Sequence, residues 1–357
     1  MALLQVSHED LAALRQRLRH TRWPARWPEA GWQAGADADE MRRLVGYWAT
    51  GYDWRAHEAE INALPSHLTE IAGARVHYLR YDGSSGLPLL LTNGWPSSFL
   101  ELTTLAGRLA AAGFTVIVPS LPGFGFSAQQ PRLLSSTPVH EVWHTLMHDV
   151  LGFERYGAHG GDLGAGITSR LAQAHPEAVA GIHLMAVADP AGYDPASVTV
   201  EERAYLDEVE AWVAAEGGYE HEQQTRPVTL SYGLADSPAG LLAWILEKYR
   251  AWTDPGSRFD DDFVLTQASL YWFTGTISTS LRPYYEHGRN LAAPVTRVEV
   301  PTAVALFPHD LVHPPRSWAE RLYNVTRYTR MPRGGHFAAH EEPALLADDL
   351  IAFFSEL

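Results

Sequence analysis

The run Gly160-Gly161-Asp162-Leu163-Gly164 sets one carboxylate among small residues, after the strand-like Glu154-Arg155-Tyr156-Gly157-Ala158 and before the helix-like stretch 165–174. A sharp strand-to-helix turn strains its central residue and lifts that side chain off the sheet edge, so small residues must flank it. Serine at the centre would point to acyl transfer. Aspartate points elsewhere, because a carboxylate attacks alkyl carbon and forms an ester that a second step must hydrolyse. The chemistry suggested is opening of a strained ring or displacement of a halide. Taken alone, the run also fits an ordinary Asx turn.

An ester-forming aspartate needs a base that later activates water. His336 lies in the Gly-rich Arg333-Gly334-Gly335-His336-Phe337, between the last strand-like and last helix-like segments. Asp310, in Phe307-Pro308-His309-Asp310, stands at the end of the preceding strand, where an acid would orient the imidazole and stabilise its charged form. Among seventeen histidines a lone match means little; the order Asp162, Asp310, His336, each at a strand end, means far more. The ester step also needs donors for an oxyanion. Asn93-Gly94-Trp95-Pro96 follows the apolar Leu89-Leu90-Leu91, which puts forward the backbone amides of Trp95 and Leu163 as that pair. A packed indole in a Gly-Trp-Pro turn is the plainer alternative.

The elements that must position these residues follow from the change of period along the chain. Ser7 or Asp10 can cap a first helix with Leu11, Leu14 and Leu18 at helical spacing. Trp- and Pro-rich sequence continues to about residue 65, which predicts a helical N-terminal extension wrapping the main domain. Thr69 to Arg80 reads as a hairpin turning at Ala72-Gly73. Leu89–Leu91 and Val116–Val118 suit buried parallel strands, and helix-like segments near 99–112 and 139–151 alternate with them. Another strand is expected at Gly181–Met185. Alternation then stops from about Asp189 to Pro294, where aromatic-rich amphipathic segments such as Leu241–Tyr249 predict a helical cap. The sheet resumes at Thr302–Phe307, followed by a helix near 315–322, a strand at 325–331 and a helix near 343–356. The expected division is an N-terminal extension (1–65), a first core part (66–188), a cap (189–294) and a second core part (295–357). The fold class is α/β, a doubly wound, mostly parallel sheet.

Composition narrows the function. With 357 residues, 46% hydrophobic and 19% charged, the chain can bury a sizeable core and is not disordered. A net charge of −15 without a basic stripe disfavours nucleic acid and anionic membrane as partners. The absence of cysteine excludes disulfides, thiolate catalysis and thiolate-bound zinc. No run of about 18 apolar residues occurs and the start lacks a leader pattern, so the cytoplasm is the expected location.

The chain resembles the microsomal-type epoxide hydrolase family, whose members have the α/β-hydrolase fold and an N-terminal wrapping segment. The resemblance runs through Trp23-Pro24 and Trp27, Asn93–Phe99, Pro119–Ser127, the aspartate turn and Arg333–Ala339. In the cap it runs through Gly217-Gly218-Tyr219, Asp236–Gly240 and Tyr271–Thr276. It implies that two cap tyrosines donate hydrogen bonds to the epoxide oxygen, and residue by residue these fall on Tyr219 and Tyr284. A phenol of pKa about 10 can donate to a developing alkoxide while staying un-ionised. Tyr285 and Tyr232 are the nearest confounders. Two departures stand out: Asn93 replaces the usual histidine, and Leu163 replaces a frequent tryptophan. The related haloalkane dehalogenases use that indole to hold halide, so Leu163 and the tyrosine pair both speak against dehalogenation. The resemblance implies conversion of an epoxide to a vicinal diol, with a small-molecule epoxide as partner, a homodimer admissible, and neither cofactor nor metal. A non-catalytic binding protein on the same fold would keep the pocket without turnover.

One motif competes. His140-Glu141-Val142-Trp143-His144 matches His-Glu-x-x-His, which on a helix puts two imidazoles on one face for zinc, with glutamate as base. Met147 and Leu151 occupy the positions where a metzincin would continue its pattern. The segment is also expected on the helix before the aspartate strand, away from the strand ends.

Overall fold

Aliphatic runs too short for helices become the inner strands of a single sheet, where both faces are covered and no polar alternation is needed. The computed structural model describes residues 3–28, 31–84, 86–130, 137–190, 192–257, 259–291 and 294–357. Its strands are β1 (Ser66–Ile71), β2 (Ala74–Tyr81), β3 (Leu89–Thr92), β4 (Val116–Pro119), β5 (Tyr156–Gly160), β6 (Val179–Leu184), β7 (Val298–Leu306) and β8 (Tyr323–Arg330). They lie in the order β1-β2-β4-β3-β5-β6-β7-β8. The β1–β2 and β2–β4 pairs are antiparallel and the others parallel. This is the α/β-hydrolase arrangement. The first hairpin turns through Ala72 (φ 51°) and Gly73 (φ 73°), the paired left-handed residues that match strand twist.

Among the described residues three α-helices precede the sheet: α1 (His8–Arg19), α2 (Ala38–Thr50) and α3 (Trp54–Ala63). Ser7, not Asp10, caps α1, accepting from the Asp10 amide, and Leu11, Leu14 and Leu18 are its buried stripe. Within the sheet region come α4 (Thr103–Ala111), α5 (Val139–His144) and α6 (Leu163–Ala174). Between β6 and β7 stand α7 (Val200–Glu216), α8 (Gly218–Thr225), α9 (Pro227–Asp236), α10 (Pro238–Ala251), α11 (Asp261–Thr274), α12 (Ile277–Ser280) and α13 (Arg282–Gly288). The chain closes with α14 (Arg316–Glu320), α15 (Ala338–Glu341) and α16 (Pro343–Phe354). No helix among the described residues is long and apolar enough to cross a membrane.

Three expectations shift in detail. The helix near 99–112 is a 3-10 turn at Phe99–Leu102 followed by α4, because the Ser98 side chain caps Leu100 and tightens the entry. The helix near 139–151 passes from α5 into a π-turn at Thr145–Val150. The strand before the aspartate runs two residues later than expected. Glu154 and Arg155 are exposed, and the ladder with β3 begins only at Gly157.

The N-terminal helices fasten to the helices above the sheet. The Trp48 indole donates to Ser269 Oγ at 3.0 Å, and Tyr52 shares a hydrogen bond with Thr266 at 2.9 Å. Arg43 pairs with Asp261 at 2.7 Å. Each of these three partners lies on α11.

Candidate active site

Asp162 sits between β5 and α6 with φ 50° and ψ −126°, a conformation unusual for a residue with a side chain and persisting only where its surroundings enforce it. Close approach explains Gly164 after it and Gly94 across from it. A Cβ on Gly164 would lie 2.1 Å from the Thr92 carbonyl oxygen, and one on Gly94 would lie 2.3 Å from the Asp162 side chain. The turn is therefore wedged against the end of β3. That contact brings the Trp95 amide to the carboxylate, donating to Asp162 Oδ1 at 2.8 Å. Leu163 opens α6 directly beside it, but its amide does not donate to the carboxylate in this structure.

The base arrives from the opposite end of the chain. His336 Nε2 lies 3.6 Å from Asp162 Oδ2, and His336 Nδ1 lies 2.6 Å from Asp310 Oδ1. Asp310 follows β7 closely, and a bridge between His309 and Gly335 ties its loop to the histidine loop. Burial opposes the imidazolium, but the Asp310 and Asp162 carboxylates outweigh it and hold the His336 pKa well above its ordinary value. Asp162, Asp310 and His336 are thus one hydrogen-bonded and ion-paired group, as their order in the sequence suggests.

Tyr219 on α8 and Tyr284 on α13 face this group across Trp95. The Tyr219 ring stacks on the Trp95 indole (5.5 Å, 7°), Tyr284 meets the indole edge-on at 5.9 Å, and the two phenol rings are 6.0 Å apart. Both are buried. The Tyr284 hydroxyl is buried with the Tyr219 hydroxyl as its polar neighbour and makes no close hydrogen bond among the described residues, which leaves the phenol pair free to turn to a ligand. Burial first, and then the Asp162 charge, raise both phenol pKa values, which keeps them donors. The confounders separate cleanly: Tyr232 is 78% exposed, and the Tyr285 ring lies under the Arg289 guanidinium at 5.0 Å.

Several supports escape a reading of the sequence. The Tyr271 hydroxyl donates to the Ser97 carbonyl at 3.0 Å, Tyr249 to the Pro96 carbonyl at 3.5 Å, and Ser98 to Gln267 at 2.7 Å. Residues of α10 and α11 thereby hold the loop that carries the Trp95 amide. The His336 amide donates to the Trp252 carbonyl at 2.9 Å, and Gly334 donates to Asp254 Oδ2 at 2.8 Å. Glu341 accepts from the Asp254 and Phe337 amides at 2.9 and 3.0 Å. Tyr271 falls within a motif stretch, but no spacing rule connects it to Ser97, and Gln267, Trp252, Asp254 and Glu341 fall within none.

The histidine-rich helix lies apart from this group. Glu141 bridges His175 at 3.0 Å and His140 at 3.3 Å, while His144 bonds the Tyr156 hydroxyl at 3.0 Å. The two imidazoles of the zinc-like motif turn to different partners. No cluster of three or more ligating side chains suited to a metal occurs among the described residues.

Known proteins match the chain over nearly its whole length. A family model described as "Epoxide hydrolase N terminus" matches residues 2–102, and one described as "alpha/beta hydrolase fold" matches residues 88–215. A Stigmatella aurantiaca protein carrying an epoxide hydrolase name is 39% identical, the alignment covering 99% of this chain and 84% of that protein. Epoxide hydrolase 1 of Sus scrofa is 32% identical over 99% of this chain and 88% of its own length. The solved structure of Aspergillus niger epoxide hydrolase superposes with a TM-score of 0.88 at 30% identity, covering 99% of this chain and 95% of that one.

Proposed function

We propose that this chain, which belongs to the epoxide hydrolase family, opens its epoxide through a covalent ester on Asp162. The observation that carries the reading is the carboxylate on a strained turn, touched by His336 on one oxygen and by the Trp95 amide on the other. Asp162 attacks an epoxide carbon while Tyr219 and Tyr284 donate to the departing oxygen. The alkoxide takes a phenolic proton, and the protonated His336 restores it.

The two half-reactions are coupled by charge. Two carboxylates raise the His336 pKa in the free enzyme, and Asp162 is one of them. Esterification removes that charge, so the imidazole pKa falls as the base is needed. Neutral His336 then takes a proton from water, and the hydroxide adds to the ester carbonyl. The Trp95 and Leu163 amides are proposed to hold the resulting oxyanion. Collapse breaks the acyl–oxygen bond, and the remaining hydroxyl proton passes to the leaving alkoxide. A vicinal diol departs, with Asp162 ionised and His336 protonated as at the start. No cofactor or metal takes part in this scheme.

A single turnover in heavy-oxygen water tests it. The first diol is expected to carry no label, with the heavy oxygen appearing in Asp162. Label in that first diol would mean direct attack by water and would overturn the ester. Asp162→Ala is expected to abolish turnover; Asp162→Asn is the less secure control because it can deamidate to aspartate.

A further inference from the structure

Helix α10 places a cation against the phenol pair. Lys248 is only 5% exposed, which is unusual for a lysine because a desolvated ammonium is costly without compensation. Its Nζ lies 4.5 Å from the centre of the Tyr219 ring and 5.5 Å from that of Trp252. A cation within roughly 6 Å of an aromatic face is attracted to it. Trp252 stands one helical turn further on, so the two side chains share one side of α10. Glu247 pairs with the ammonium at 2.5 Å. The packing continues into the site: Tyr219 stacks on Trp95, Trp252 tilts against Tyr219 at 5.2 Å, and Trp252 meets the His336 ring at 5.1 Å. A lysine that only covered these rings could do so with its stem and leave the ammonium in water.

The two phenols are not equivalent. The Tyr284 ring meets neutral rings, Trp95 at 5.9 Å and Tyr219 at 6.0 Å, whereas the Tyr219 ring also carries the ammonium over its face. The hydroxyls differ in the same sense. Burial and then Asp162 oppose ionisation of both, but the Tyr284 hydroxyl favours ionised Tyr219, and the Tyr219 hydroxyl opposes ionised Tyr284. Glu247 alone would oppose ionisation of Tyr219; paired with an ammonium that sits over the ring, its charge is offset.

We propose that Lys248 is the positioning residue that makes Tyr219 the proton donor in ring opening, while Tyr284 holds the epoxide oxygen by a hydrogen bond. The inference rests on the covalent reading above. As the bond from Asp162 to carbon forms, the epoxide carbon–oxygen bond breaks and its oxygen takes the Tyr219 proton. The electron pair left on Tyr219 spreads from oxygen over the ring, so the ring beside the ammonium becomes an anion. Attraction to Lys248 therefore grows toward the transition state, and only an interaction that grows in this way speeds the step. His336 returns the proton to Tyr219, and Lys248 keeps its own throughout.

Rapid-quench and stopped-flow measurements with styrene oxide separate alkylation from ester hydrolysis. Lys248→Met keeps an unbranched side chain and removes the charge. It is expected to slow alkylation by about tenfold to thirtyfold and to leave ester hydrolysis within about twofold of wild type. Lys248→Arg, which restores a cation, should recover most of that loss. A double-mutant cycle separates charge from packing. Lys248→Met should add almost nothing to Tyr219→Phe, where no phenol remains to ionise, and should show its full effect in Tyr284→Phe. A fluorotyrosine at 219 or at 284, read by fluorine NMR with Lys248 intact, should ionise at lower pH at 219; the reverse order would overturn the proposal. So would additive effects of Lys248→Met and Tyr219→Phe, or equal slowing of both half-reactions that Lys248→Arg does not relieve. A wild-type enzyme that forms no adduct on Asp162 would instead overturn the covalent reading on which this one depends.

Discussion

A single negative charge bears on the protonation of three other groups in the site. The Asp162 carboxylate raises the pKa of His336, Tyr219 and Tyr284, and all three must relax when it becomes an ester. The sign is testable in the half-reactions. Alkylation uses protonated His336, so its rate should be level through neutral pH and fall as pH rises through the raised pKa. Ester hydrolysis uses neutral His336, so its rate should climb with pH through a lower pKa. Stopped-flow fluorescence, with Trp95 stacked on Tyr219 as the reporter, would read both limbs. A hydrolysis pKa at or above that of the free enzyme would contradict the coupling. Tyr284→Phe gives a second trial. Its hydroxyl has only a loose contact with the Tyr219 hydroxyl to lose, so stability should change little, whereas alkylation should fall by about 10²–10³. Asp162, Asp310 and His336 were legible in the sequence because each sits in a Gly-rich or strand-end stretch in the expected order. The tyrosines were not legible on residue type alone. Fifteen tyrosines offer too many equivalent phenols, and only the resemblance singled out two.

The elements divide the labour between a sheet that supplies the charged groups and upper helices that hold their backbones. The turn at Asp162 depends on α6 reaching the end of β3, where Gly164 has no room for a Cβ beside Thr92. Gly164→Ala should push α6 outward, destabilise the fold by about 1–3 kcal/mol and remove the Trp95 contact to Asp162. Loss of activity with an unchanged melting temperature would show that the close approach is not maintained. The loop Trp95–Ser98 is held from the other side by Tyr249, Gln267 and Tyr271. Tyr271→Phe leaves the Ser97 carbonyl unpaired, and about 1–3 kcal/mol of stability should be lost. The Trp95 amide should also drift from the carboxylate, lowering kcat more than it raises KM. A KM effect alone would mean that α11 shapes substrate binding and leaves the oxyanion donor in place. Periodicity located α10 through Leu241–Tyr249 and placed α11 only within the helical stretch 189–294. It could not show that they reach the oxyanion loop, because such contacts join positions more than 150 residues apart and no local pattern records them.

Across the whole molecule, a second buried chain of polar groups runs beneath the site and ties the sheet together. His159 on β5 meets His183 on β6 at 3.0 Å, His183 meets Asp349 on α16 at 3.0 Å, and Asp349 accepts from Arg327 and Thr329 on β8 at 2.6 and 2.8 Å. His159 also lines a small cavity behind Asp162, so the network links the floor of the site to the last helix. Burial lowers the His159 pKa well below the ordinary value, and the pair of imidazoles can share one hydrogen bond only while one nitrogen is unprotonated. Burial alone would raise the Asp349 pKa, but its bonds to His183 and Arg327 outweigh that and hold it far below the usual range. A carboxylate with a depressed folded pKa stabilises the fold above its unfolded pKa, near 4, and that contribution is lost as pH falls further. Asp349→Asn should therefore destabilise the protein by about 1–3 kcal/mol at neutral pH, since it leaves a buried imidazole and a partly exposed guanidinium without their anion. Melting curves between pH 3 and 7 should show the wild type losing stability below about pH 4, with the variant losing less over the same interval. Parallel curves would mean that Asp349 titrates alike in the folded and unfolded chain, and the network would then be a packing arrangement without electrostatic weight.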